Sequence, residues 1–230
     1  MKIAILSDIH ANLTALEAVV NALPRYDELY CLGDVVGYGP QPNEVIETLQ
    51  LLHPRIVLMG NHDYAVVTGN VEGFSFHAAK AIEWTRRELA EAGRSYLASL
   101  NPSAKLEREG TVLALYHGSP RDPLMEYIFP GIPETVGRVL VQMASAKIVL
   151  LGHTHMPMLY RYDGYALANP GSVGQPRDGD PRASYALLTL TRNEIAFEVY
   201  RVEYDVELVA ERIIRNGLPS FLAERLYTGV

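Results

Sequence analysis

The 230-residue chain has a single cysteine, Cys31, which excludes an intramolecular disulfide. That residue sits in an apolar run and reads as a small buried hydrophobe. No run approaches the ~18 apolar residues of a membrane span. The first residues have no basic region leading into a long apolar stretch, the mark of a secretory signal. The expected location is therefore the cytoplasm, with no membrane partner. Positive charge is in deficit: 20 Lys and Arg against 27 Asp and Glu give a net charge of −7. A broad basic face is not available, so a nucleic-acid partner is disfavoured. A phosphate substrate is not excluded, because bound metal ions reverse the local sign of charge. Low-complexity tracts, internal repeats and an obvious linker are all missing, and residues 1–230 read as one domain.

What is present begins with short apolar runs that end in polar residues. Lys2 to Ser7 reads as a buried strand. Asn12 caps a helix with Leu13, Leu16, Val20 and Leu23 on one face, stopped by Pro24. Glu28 to Leu32 is a second strand and Arg55 to Met59 a third, with a helix after Pro42 between them. Strand–helix–strand–helix–strand favours parallel pairing. Residues 75 to 100 read as helical, with Phe76, Ala79 and Trp84 toward a core. A hairpin around Gly110, a helix after Pro133, a buried strand at Lys147 to Leu151 and four further strands up to Val202 follow. Asp205 caps a last helix bearing Val206, Val209, Ile213 and Ile214. That apolar face leaves a homo-oligomer open. Two sheets packed face to face with helices outside would bury all of these faces.

Five strands in succession end in Asp, Asn or His, mostly beside glycine. The clusters are Asp8-Ile9-His10, Gly33-Asp34, Gly60-Asn61-His62-Asp63, His117-Gly118 and Gly152-His153-Thr154-His155. Singly each reads as a turn, a cap or an ordinary histidine. Together, at the carboxyl ends of strands where ligands bind in such sheets, they read as one site. Carboxylate, imidazole and amide oxygen form the mixed donor set of Mn, Fe, Zn and similar ions. Seven donors exceed one ordinary site but suit two ions sharing a carboxylate.

This series of motifs, in this order, resembles the calcineurin-like metallophosphoesterase family, in its small bacterial phosphodiesterase branch; Asn169-Pro170-Gly171-Ser172 resembles that branch as well. The resemblance implies an α+β fold, a four-layer α/β/β/α sandwich of two mixed sheets flanked by helices. It implies two divalent cations, Mn favoured and Fe, Ni or Zn alternatives. Asp8, His10 and His155 would hold one, Asn61, His117 and His153 the other, and Asp34 would bridge them. It further implies attack by a metal-bridging hydroxide, with the catalytic His62 assisting the leaving group. In the protein phosphatase branch an aspartate three residues after the bridging one pairs with that histidine; here the position is Gly37. Asp63 is beside His62, but adjacent side chains seldom point the same way on a strand.

The expected substrate is a small nucleotide-like or aryl phosphodiester. A phosphomonoesterase or protein phosphatase stays open, as does a non-catalytic scaffold keeping the fold. Arg121 and Arg177 are the cations best placed in sequence to reach a phosphate, and Asn12 and Tyr127 are further substrate-binding candidates. The proline-rich segment from Ser119 to Pro133, with Tyr127 and Phe129, is expected to border the entrance.

Overall fold

The computed structural model describes residues 1–191 and 195–230. Three parallel strands open the chain: β1 (Lys2–Leu6), β2 (Glu28–Cys31) and β3 (Ile56–Val57), joined by α1 (Leu13–Ala22) and α2 (Pro42–Leu51). Then come α3 (Asn61–Thr68), α4 (Phe76–Glu88) and α5 (Glu91–Ala98). The second sheet starts with the hairpin β4 (Ser103–Arg108) and β5 (Thr111–Tyr116). Helix α6 (Glu134–Ala144) leads to β6 (Ile148–Leu151), parallel to β5, and the hairpin β7 (Met158–Tyr162) and β8 (Tyr165–Asn169) sets β8 parallel to β6. Strands β9 (Ala183–Leu190) and β10 (Ile195–Val202) return to the first sheet, antiparallel to β1 and to each other respectively. Helices α7 (Val206–Arg215) and α8 (Ser220–Glu224) and a 3-10 turn at Arg225–Tyr227 follow. The strand orders are β10-β9-β1-β2-β3 and β4-β5-β6-β8-β7.

Alternation along β1 explains the layers. Ile3 and Ile5 point between the sheets, where they meet Tyr30, Leu32, Leu115 and Leu150. Ala4 and Leu6 point the other way, onto Leu16, Val19, Val45 and Leu49 of α1 and α2. On the far side α6 lays Leu140, Val141 and Ala144 against Val149, Leu151 and Leu167. The result is the expected four-layer sandwich of two mixed five-stranded sheets, flanked by eight helices among the described residues.

Three local readings need correction. The helical stretch at 75 to 100 is two helices, broken after Glu88. Phe76 is 70% exposed, and the face that packs carries Ala78, Ala81, Ile82 and Trp84 instead. The third strand is only Ile56–Val57, and Asn61 opens a helix where an extended segment was expected. That helix starts because the Asp63 carboxylate reaches back to the Gly60 N–H at 2.9 Å, satisfying a free donor of the first turn.

Because β1, β2 and β3 are parallel, and β5, β6 and β8 are parallel, their carboxyl ends gather at common edges. Main-chain bonds knit the outgoing loops: Asp8 N to Gly33 O and His10 N to Asp34 O, both 3.0 Å. Across the sheets the His117 ring bonds Leu32 O at 2.8 Å, so both sheets present the same edge to one site.

Candidate metal centre

Five of the polar residues at this edge have left-handed backbone: Asp8 (φ 53°), His10 (51°), Asp34 (52°), His153 (68°) and His155 (60°). For residues with a Cβ this conformation costs on the order of 1–3 kcal/mol each and persists only where the surroundings over-determine it. Here the neighbouring loops do so. Ser172 Oγ donates to Asp8 O at 2.7 Å, and Asn169 Nδ2 donates to Gly152 O at 2.7 Å, which gives the Asn169–Ser172 motif its role. Gly60 is needed for another reason: a Cβ there would lie 2.0 Å from Asp34 Oδ1.

The twisted loops converge two sets of donor atoms, each set within 4.8 Å: Asp8, His10, Asp34 and His155 in one, Asp34, His117 and His153 in the other. Asn61 Oδ1 joins the second set, 3.1 Å from His117 Nε2. Asp34 belongs to both. Its Oδ2 lies 3.4 Å from His10 Nε2 and 3.5 Å from His117 Nε2, and it is buried with no hydrogen-bond partner. Its Oδ1 accepts from the His62 main-chain N–H at 2.9 Å. All seven side chains are buried.

The histidine tautomers show what fits between these atoms. His10 Nδ1 faces Val36 O, His155 Nδ1 faces Gln175 O, His117 Nδ1 faces Leu32 O and His153 Nε2 faces Met125 O. A carbonyl only accepts, so each of these nitrogens carries the proton, and in the neutral ring the other nitrogen is a lone pair. Those lone pairs face each other at 3.1 Å between His10 and His155 and 3.2 Å between His117 and His153. Bare lone pairs at such distances repel; a cation between them makes both ligands. Burial holds His10, His153 and His155 neutral by lowering their pKa values. The same burial raises Asp8 to about 7, and burial followed by the charge of Asp63 raises Asp34 well above the usual carboxylate range. Positive charge delivered to the site would reverse both carboxylate shifts.

A calcineurin-like phosphoesterase superfamily domain matches residues 1–193. The chain belongs to this family. It is a metal-dependent phosphoesterase with its metal-binding cluster of Asp and His intact. An uncharacterized protein of Methanocaldococcus jannaschii is 35% identical, covering 99% of this chain and 98% of its own. The phosphodiesterase YfcE of Escherichia coli K12 is 28% identical over 82% of this chain and 87% of its own. The crystal structure of a metallophosphoesterase from Sphaerobacter thermophilus superposes with a TM-score of 0.86 at 36% identity, covering 100% of this chain and 99% of that one.

Against the phosphatase pattern of this family, the surroundings of His62 are distinctive. Its Nδ1 is buried with no hydrogen-bond partner. A Cβ on Gly37 would stand 2.6 Å from that nitrogen, and Gly37 has φ +89°. Among the described residues no acidic side chain fills the gap. Asp63 does not touch the ring: its carboxylate accepts from Gly60, Val35 and Val36 main-chain N–H groups. Packing positions His62 instead, with Tyr38 at 4.3 Å between ring centroids and Phe74 edge-on at 5.0 Å. Burial, and then the charge of Arg177, lower its pKa and keep the ring neutral.

A cleft of about 320 Å³ opens beside Asn61, His62 and His153, walled by Tyr38, Phe74, Tyr127 and Arg177. Tyr127 lies flat on His153 at 3.6 Å, with Phe129 parallel beyond it at 5.5 Å. Of the four candidates for substrate contact, the structure brings Tyr127 and Arg177 here. Arg121 is drawn away by Glu126, with which it pairs at 2.6 Å. Asn12 is occupied as a cap, accepting from Ala15 N–H and donating to Gly174 O, both at 3.0 Å. Phe74 and Arg225 also line the cleft, and no motif marks either in the sequence. A larger cavity of about 600 Å³ lies by Val112, Lys147 and Tyr162, at the other ends of β5 and β6, and includes no metal-site donor.

Proposed function

We propose that the protein is a phosphodiesterase that uses two divalent cations, Mn favoured, to hydrolyse a small nucleotide-like or aryl phosphodiester in the cytoplasm. The observation that carries the two-ion reading is Asp34 Oδ2, unpartnered and about equally far from an imidazole of each donor set. Asp8, His10 and His155 would hold one ion and Asn61, His117 and His153 the other. When bound, such ions shield the phosphoryl oxygens and lower the pKa of water from ~15.7 toward ~7. The carbonyls of Val36, Gln175, Leu32 and Met125 keep each imidazole in the ligating tautomer. His62, neutral in the cleft wall, offers an N–H hydrogen bond to the leaving oxygen as negative charge develops there, a role worth ~10²–10³-fold. Tyr127 offers a face to an aryl or base substituent, and Arg177 lines the same cleft.

Gly37 and the similarity to a protein named a phosphodiesterase support the diester over the monoester. Metal-stripped protein should be inactive on bis(p-nitrophenyl) phosphate, and Mn²⁺ should restore activity at least as well as Mg²⁺, since His and Asn suit Mn²⁺ better. The kcat/KM for this diester should exceed that for p-nitrophenyl phosphate. A tenfold preference for the monoester would favour a phosphatase, and full activity in excess EDTA would end the metal reading.

A further inference from the structure

The family domain stops at residue 193, yet the segment beyond it reaches the cleft. Val209 and Ile213 of α7 and Leu222 and Leu226 around α8 pack with Trp84 and Tyr38 in one apolar cluster. That anchoring sets the turn at Arg225 into the cleft wall shared by Asn61, His62 and Arg177. Two guanidinium groups therefore face one small space. Arg177 donates to the Tyr38 hydroxyl and to Gln175 Oε1, each at 3.1 Å, while its buried Nε has no partner. Arg225 contacts a main-chain oxygen of Val230 and lies 5.5 Å from the Phe221 ring centroid. Neither set of partners includes an aspartate or glutamate side chain. Like charges in a partly buried wall repel, and burial followed by the charge of Arg177 lowers Arg225 to about 10, so it remains charged at neutral pH.

A single phosphodiester carries one negative charge, which the metal-binding end of the cleft is equipped to meet. Arg177, whose buried Nε has no partner, and Arg225 add two guanidinium groups to the other wall of the cleft. Guanidinium is the group whose planar fork matches phosphate oxygens two at a time. We propose that Arg177 and Arg225 form a subsite for a second phosphoryl group, so that the preferred substrate is a nucleotide phosphodiester bearing a further phosphate. This rests on the phosphodiesterase reading and deepens it: Arg225, supplied from outside the family domain, sets specificity within it.

The test pairs two substrates with one leaving group, the 5′-p-nitrophenyl ester of thymidine 5′-phosphate and its 3′-phosphorylated analogue. The wild type with Mn²⁺ should prefer the phosphorylated analogue by at least tenfold in kcat/KM, mostly through KM. Arg225→Met should cut that preference at least fivefold, and Arg225→Lys, which keeps the charge without the fork, should fall between. Calorimetric titration of ADP and AMP into the same Mn²⁺-loaded proteins reads the subsite without turnover: wild type should favour ADP by at least tenfold and Arg225→Met by threefold or less. Equal preference in wild type and both variants, by either method, overturns the subsite. Absence of any diester hydrolysis strikes the phosphodiesterase reading instead, and the ADP to AMP ratio still decides the subsite.

Discussion

His62 presents a ring nitrogen that no protein atom holds, next to a glycine with no room for a side chain. Its reactivity therefore depends on packing by Tyr38 and Phe74 and on the nearby guanidinium charge of Arg177, with no carboxylate to raise its basicity. Asn61 and His62 leave the first turn of α3 in different directions, one toward His117 and the other toward the cleft. Changing His62→Asn should leave metal content and fold intact while lowering kcat by ~10²-fold or more, with a smaller change in KM. An alkyl diester should suffer more than an aryl one, because a poor leaving oxygen develops more charge and gains more from the His62 N–H. Metal analysis alongside steady-state kinetics checks this, and wild-type turnover in the fully loaded variant would remove His62 from the reaction.

At the scale of elements, the segment between β5 and α6 reaches over the metal end of the cleft. It contributes the Met125 carbonyl to His153 and the Tyr127 ring to the wall. Tyr127 and Phe129 are about half exposed, as a stacking platform requires. Replacing both with Ala should raise KM for bulky aryl or nucleotide diesters several-fold more than for a methyl diester, about what loss of one stacking face costs. Equal effects on all substrates would make the pair simple packing. The strand ends that carry the candidate ligands were legible because glycine beside Asp, Asn or His recurs at four of the five, and the first, Asp8-Ile9-His10, follows an apolar strand directly. Helix α3 was not, because a run of eight residues starting at a ligand gives little periodicity; Asp63 three residues after Gly60 was the cap signal that marked it. The outward face of Phe76 escaped notice because spacing alone does not say which side of a helix meets α7 and α8. Arg121 and Arg177 looked alike in sequence, and only the position of Glu126 separates them. Arg225 gave no sign at all, since its place depends on how α7 and α8 dock.

For the whole molecule, the buried cluster makes stability depend on metal and on pH together. In the metal-free fold Asp8 titrates at about 7 and Asp34 well above its ordinary 3.8, so the fold keeps protons that the unfolded chain has released. Their contribution to stability is complete at low pH and is lost as pH rises through these raised values. His10, His62, His153 and His155 are shifted the other way, below 6.5; their contribution is complete about one unit above that value and is lost as pH falls through it. Near pH 6.5 the two groups of residues therefore oppose each other, while above about pH 7.5 the raised carboxylates set the slope, and metal-free protein should become less stable. Bound cations favour the ionised carboxylates, so the gain in Tm on adding Mn²⁺ should grow over the same interval. At 100-fold excess over Kd the gain is about 2.7 kcal/mol, or roughly 5–10 °C at ~2–4 °C per kcal/mol. Differential scanning fluorimetry with and without EDTA at pH 7.5 and 8.5 measures it, and a constant or shrinking gain would contradict the buried-carboxylate account. The donor sets also draw on residues far apart along the chain, from Asp8 at the end of β1 to His155 after β6. During synthesis at ~5–20 residues per second, roughly 7–30 s separate the first of these residues from the last. No emerging chain can present a complete set until His117, His153 and His155 of the second sheet have left the ribosome, so a half-made protein holds Asp8, His10 and Asp34 without the later histidines that would let it sequester scarce metal.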